Sequence, residues 1–126
     1  MNYSFPIYTL LAVFALSACS TITPATPTPT PDPFIVQGQN VFNSRCATCH
    51  ALVPDTIIIG PSLYGIATVA ETRVEGQSAE EYLQLSVLRP GDYVVGGFNN
   101  VMVTNLAKEL TSEELNALIA FLLTLK

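Results

Sequence analysis

The clearest periodicity in the chain lies at its end. Leu115, Leu118, Ile119, Leu122 and Leu125 recur at the three- and four-residue spacing that stacks side chains on one helical face, with Phe121 beside the stripe. Just ahead, Thr111-Ser112-Glu113-Glu114 places glutamate three residues after threonine, the pattern of a capping box. A second box, Ser78-Ala79-Glu80-Glu81, opens a helix over 79–88 that Arg89-Pro90-Gly91 ends. Tyr82, Leu85 and Leu88 are expected to face inward there, with Val87 filling a flank. A third helix starts at Asp32-Pro33, an N-cap residue followed by proline at the first helical position. Along it Phe34, Gly38, Val41, Phe42 and Arg45 share one face. Glycine costs about 1 kcal/mol relative to alanine inside a helix. Gly38 on the inward face therefore points to another helix in close approach, and the C-terminal stripe is the natural partner. Residues 55–65 read as a loop with a Gly60-Pro61 turn and one helical turn at 62–66. Residues 92–100 form a second loop, loosened by Gly96-Gly97. The run Thr56-Ile57-Ile58-Ile59 is too short to separate strand from loop. The fold class is all-α, in one domain over 34–126.

The chain ahead of that domain follows different rules. Residues 5–18 are an apolar run, shorter than the roughly 20 residues a membrane-spanning helix needs but suited to a signal peptide. The run closes on Leu16-Ser17-Ala18-Cys19, which resembles the lipobox of bacterial lipoproteins, whose cysteine is acylated and becomes the mature N-terminus. The resemblance implies a signal over 1–18, lipid on Cys19, and an exported lipoprotein facing the periplasm or the extracellular side. Met1-Asn2-Tyr3-Ser4 lacks the usual Lys or Arg, and an ordinary cleaved signal with an incidental cysteine is the alternative. Residues 20–33 are rich in Thr and Pro; frequent proline blocks helix and ladder hydrogen bonds. With the lipidated cysteine, residues 19–33 make an extended tether with a reach on the order of 40 Å.

Composition narrows the partners. Apolar residues make up 49% of the chain, a share inflated by the N-terminal run and the C-terminal helix. Five Lys+Arg against ten Asp+Glu leave a formal net charge of −5, which disfavours nucleic acid. A basic protein partner is allowed but not required, since net charge mainly tunes encounter rate.

The chemistry is concentrated in Cys46-Ala47-Thr48-Cys49-His50. Two thiols three positions apart, followed at once by an imidazole, have the spacing of covalent c-type haem attachment. Each thiol can form a thioether with a haem vinyl group, and His50 can then reach the iron from the same side. A Cys46–Cys49 disulfide of the redox-active kind would need a βαβ context that the pattern lacks. Zinc would need four ligands, and His50 is the only histidine. A haem-ligating histidine normally gives its second ring N–H to a fixed acceptor. The backbone carbonyl of Pro61, held by its ring, is well placed for that.

Over residues 32–126 the chain resembles a class I cytochrome c. The matching residues are Gly38 and Phe42, Cys46, Cys49 and His50, Gly60, Pro61, Leu63 and Gly65, the Pro90 to Phe98 stretch leading to Met102, and the Leu-rich last helix with Phe121. The resemblance implies helices wrapped around one covalently bound haem c, with His50 proximal and Met102 distal on the iron. It also implies that the first and last helices cross near Gly38, Phe42 and Phe121. His/Met ligation raises the haem potential relative to harder ligands. A lone methionine is more often core filler, but the motif upstream, the glycine loop and the absence of a second histidine favour ligation. The family usually follows this methionine with proline; Val103 stands here instead and leaves the loop less rigid.

Arg73 is expected to pair with a haem propionate or to lie solvated on the surface, and Tyr93 and Asn100 to hydrogen-bond near the haem. Ile57, Ile58, Ile59 and Val103 are either an apolar docking rim at the haem edge or core. The resulting expectation is a membrane-tethered one-electron carrier between a redox-protein donor and acceptor, with no catalytic residue. The alternatives are a haem-based ligand binder or peroxidase-like protein with a labile methionine, and a haem subunit of a larger respiratory or dehydrogenase complex.

Overall fold

In a computed structural model of the protein, residue 1 and residues 30–126 are described. The expected signal over 1–18 beyond its first residue, Cys19 and most of the 19–33 tether lie outside the described residues. Five helices follow one another: α1 (Pro33–Arg45), α2 (Ile66–Ala70), α3 (Ala79–Leu88), α4 (Leu106–Glu109) and α5 (Ser112–Leu122). No strand forms among the described residues; the Thr56 to Ile59 run contributes only an isolated antiparallel bridge between His50 and Ile57.

The frame is the crossing of α1 and α5, the most extensive helix pair in the fold. Gly38 makes it possible. A Cβ there would run into the carbonyl oxygen of Ala117 and lie 2.7 Å from Phe121 Cβ. Ala117 is itself fully buried, so two small residues let the backbones meet. Phe42 and Phe121 then pack with ring centroids 5.8 Å apart and planes inclined at 47°, a favourable aromatic geometry. Phe34 and Arg45, expected on the same face as Gly38, lie at its ends and are exposed.

Local signals set the helix starts. The Asp32 carboxylate accepts the Phe34 N–H at 2.9 Å, and Pro33 follows it in the first turn. Thr111 and Glu114 close a reciprocal box: Glu114 N–H donates to Thr111 Oγ1 at 3.1 Å and Thr111 N–H donates to Glu114 Oε2 at 2.8 Å. At Ser78 only half of the expected box forms, with Glu81 N–H donating to Ser78 Oγ at 3.1 Å.

Two expectations need correction. The short helix after Gly60-Pro61 covers Ile66–Ala70 rather than 62–66, because Leu63 N–H is drawn to the Ala51 carbonyl (2.8 Å) and Ala67 N–H to that of Leu125 (3.0 Å). On α3 the buried residues are Tyr82, Leu83 and Val87, while Leu85 is half-buried and Leu88 exposed. This helix carries apolar residues nearly all round, so periodicity alone does not select its inward face.

Candidate functional site

The Cys46 to His50 motif is wound directly off the end of α1. Cys46 and Ala47 N–H groups donate to the Phe42 carbonyl at 2.8 and 3.0 Å, and Cys49 and His50 N–H groups to that of Cys46 at 3.0 and 2.9 Å. These turns fix the two thiols and the imidazole relative to the helix. The following loop folds back on them: Ile59 and Gly60 N–H groups donate to the Cys49 carbonyl at 3.2 and 2.9 Å.

His50 Nδ1 lies 2.8 Å from the Pro61 carbonyl oxygen. A carbonyl can only accept, so Nδ1 carries a proton, and of the two neutral tautomers this bond selects the one with its lone pair on Nε2. This is the acceptor that metal-ligating histidines use to set tautomer and basicity. Gly60 supplies the room. A Cβ there would strike the imidazole Cε1 and sit 2.9 Å from Nδ1 and 3.0 Å from Nε2. Its φ is not positive, so close approach explains the glycine better than turn freedom. The Gly60-Pro61 pair reads in the sequence as a turn, and the structure gives the glycine this further reason.

One cavity of about 360 Å³ gathers the candidates, within the range of sites that enclose small molecules. Cys46, Cys49, His50, Pro61, Arg73, Tyr93, Asn100 and Met102 all line it. Its apolar wall includes Phe42 from α1, Ile66 from α2, Leu83 and Val87 from α3, Leu106 from α4, and Leu118 and Leu122 from α5. Met102 is half-buried against the core. It arrives on a loop with few internal backbone bonds, Phe98 N–H to Val95 at 3.1 Å and Val101 N–H to Asn99 at 2.9 Å, and with Gly97 at φ +86°.

Burial, and then the negative charge of Cys49 when ionised, push the Cys46 thiol up to about 11. Redox-active C-x-x-C pairs instead depress a thiol so that thiolate attacks, and this site does the opposite. Among the described residues no group of three or more His, Cys, Asp or Glu could hold a bare metal ion. The donors that line the cavity are the His50 imidazole, the Met102 thioether and the two thiols of Cys46 and Cys49, a set that fits a haem attached through the thiols and ligated by the other two.

The two described ion pairs are Arg45–Glu109 at 2.8 Å and Arg89–Asp92 at 3.0 Å. Arg73 is the remaining arginine, half-buried in the cavity wall without a carboxylate partner among the described residues. The Arg45–Glu109 pair also lines the cavity, and Asn105 Nδ2 donates to the same carboxylate at 3.0 Å. Sequence reasoning missed this link between the end of α1 and the segment after Met102, because 64 residues separate its partners.

Helices around an apolar cavity, with a paired thiol motif, an oriented imidazole and a thioether in its wall, define a covalently haem-binding domain. The family model described as Cytochrome c matches residues 35–126, and the chain belongs to that family. No curated protein matches it significantly. Its cofactor is haem c, with Cys46 and Cys49 positioned as the attachment pair, and the all-α cytochrome c fold agrees with the helices seen here. The protein is an electron-transfer haem protein, of a family whose members generally carry electrons rather than catalyse.

Proposed function

We propose that the chain is a one-electron carrier in which Cys46 and Cys49 hold the haem by thioethers and His50 Nε2 and Met102 Sδ ligate its iron. When bound, haem c supplies an iron that changes oxidation state by one electron without forming or breaking a substrate bond. The protein's own residues do the rest. Pro61 holds the imidazole in the Nε2-basic tautomer, and the apolar walls keep water away. Arg73 offers a propionate the cation that the other arginines of the cavity and its surroundings have already given to carboxylates. The observation that carries the proposal is the 2.8 Å bond from His50 Nδ1 to Pro61, in a cavity that Met102 also lines. His50 and Met102 would together hold the iron from the protein, leaving it to exchange electrons rather than bind a substrate.

In this reading the chain is exported, lipidated on Cys19 and tethered by residues 19–33 to the outer side of the cytoplasmic membrane. There it shuttles electrons between a redox-protein donor and acceptor. The lipobox-like Leu16-Ser17-Ala18-Cys19 and the Thr/Pro segment support this. Two measurements test the proposal. Spectroelectrochemical titration of the purified protein should give a reversible one-electron couple with no change on adding CO to the ferrous form. Cys19→Ser should move the protein from the membrane to the soluble fraction, and unchanged membrane retention would remove the anchor from the account.

A further inference from the structure

The bond from His50 Nδ1–H to the Pro61 carbonyl joins two segments that no regular element holds together. The chain leaves the imidazole through Ala51-Leu52-Val53 and returns through Ile59-Gly60-Pro61-Ser62. Backbone bonds secure the returning segment on either side of the acceptor. Ile59 and Gly60 N–H groups reach the Cys49 carbonyl before it, and Leu63 N–H donates to the Ala51 carbonyl at 2.8 Å after it. The peptide unit that carries the acceptor has no such bond. Its nitrogen belongs to Ser62 and donates to no backbone carbonyl among the described residues, while Pro61 has no N–H to give. Packing at the loop's tip does not make up the difference: Ile57, Ile58 and Ile59 are 50% to 67% exposed, so the run is not core.

The Ser62 side chain fills that gap. Its hydroxyl donates to the Val53 carbonyl at 2.7 Å and accepts the Tyr64 N–H at 3.1 Å. The Ala51 carbonyl stands farther off, at 3.4 Å, and already receives Leu63 N–H. A serine hydroxyl has one proton and two lone pairs, so the bonds to Val53 and Tyr64 form together. Ser62 thus ties the segment leaving His50 to the one returning with its acceptor, one residue beyond that acceptor. It lines the same cavity as His50 and Pro61. Thr56, a hydroxyl in the same loop, reaches only the Pro54 carbonyl two residues back, at 3.1 Å, and ties nothing distant.

Resting on the electron-carrier reading above, we infer that Ser62 is a positioning residue for electron transfer, its hydroxyl holding the Pro61 carbonyl in register with His50 Nδ1–H. The residue acts through Pro61 and the imidazole ring. A fixed acceptor on the outer ring nitrogen makes the ligating nitrogen more basic. A more basic imidazole favours ferric over ferrous iron, so loosening the bond raises the reduction potential.

The test uses the detergent-solubilised, haem-loaded full chain, as Ser62→Ala, Ser62→Thr and Thr56→Ala beside the parent. Two quantities are read: exchange of the His50 Nδ1 proton with water, by NMR of the ferrous protein, and the reduction potential. In Ser62→Ala the proton should exchange about tenfold faster, the effect of one ordinary hydrogen bond on a local opening. Its reduction equilibrium should shift about threefold toward ferrous, ~30 mV for a one-electron couple. Ser62→Thr keeps the hydroxyl and should stay within about twofold of the parent in exchange rate; Thr56→Ala should move neither quantity. A Ser62→Ala protein with the parent's exchange rate and potential, however much its stability falls, overturns the inference. So does a Ser62→Thr protein that behaves like it, or a Thr56→Ala protein that moves as far. A parent without a reversible one-electron couple overturns the carrier reading instead, and the exchange rates then still decide the role of Ser62.

Discussion

The nitrogen that His50 can offer to iron depends on two neighbours that do no chemistry. The Pro61 carbonyl accepts a hydrogen bond from His50 Nδ1–H at 2.8 Å, and Gly60 leaves the space in which the ring lies. Gly60→Ala should push the imidazole aside, since the added Cβ would meet the ring's Cε1 and both of its nitrogens. The expected outcome is loss of the low-spin, histidine-ligated spectrum in most of the isolated protein, read by optical or electron paramagnetic resonance spectroscopy. An unaltered spectrum would remove Gly60 from the account. Arg73 allows a second test at this scale. If its charge faces a propionate, Arg73→Gln should lower the reduction potential by tens of millivolts, as Coulomb's law gives for one charge at moderate distance and screening. A solvated, remote arginine would leave the potential unmoved.

Among the elements, the α1–α5 crossing sets the geometry of everything attached to it. Gly38→Ala places a methyl against the Ala117 carbonyl and Phe121 Cβ. The crossing must open, at a cost of about 3 kcal/mol, the upper part of the range for overpacked cores. Urea unfolding should show this as a lowered midpoint with an unchanged slope. The start of α5 makes a pH prediction. Hydrogen bonds from the Thr111 backbone N–H and side-chain hydroxyl hold the Glu114 carboxyl below its ordinary value of 4.5. Its folded pKa is depressed, so its stabilisation is present in full above that value and is lost as pH falls through the folded pKa. Glu114→Gln should therefore be less stable than the parent at neutral pH, and the gap should narrow in acid. A gap that widens on acidification would reverse the sign and refute the assignment.

These elements also show what a sequence discloses. The haem motif, the Asp32-Pro33 start, the Thr111 box and the Gly38 contact were legible because each is written in residues a few positions apart, or in a glycine that a helix would otherwise reject. The register of α2 was not, because its start is chosen by carbonyls of Ala51 and Leu125 rather than by its own side chains. Nor was the inward face of α3, where apolar residues surround the axis. The helix α4 spans only Leu106–Glu109, too short for a period to register. In the site the residue types were readable, whereas Gly60 as ring space and the Arg45–Glu109 clasp exist only once distant segments meet.

For the molecule as a whole, the cavity is its middle rather than a dent in its surface. Every helix contributes to its wall, and Phe42, Leu118 and Leu122 serve both wall and core. A domain of this size buries little apolar surface on its own, so what fills the cavity is part of what folds it. Cys46→Ser with Cys49→Ser should give a chain that retains helical signal but loses a cooperative thermal transition and binds a hydrophobic dye, the behaviour of a loosely packed state. A sharp, parent-like transition in that variant would mean that the polypeptide completes its own core.

The claim on which the function rests is that the second axial ligand is the Met102 thioether. The measurement that reaches it most directly is the far-red optical spectrum of the ferric protein, recorded beside Met102→Ala. The account predicts a weak sulfur-to-iron charge-transfer band in the parent, its disappearance in the variant, and rapid CO binding only in the ferrous variant. A parent without the band that takes up CO at once would contradict it, and would make the protein a ligand binder instead of a carrier.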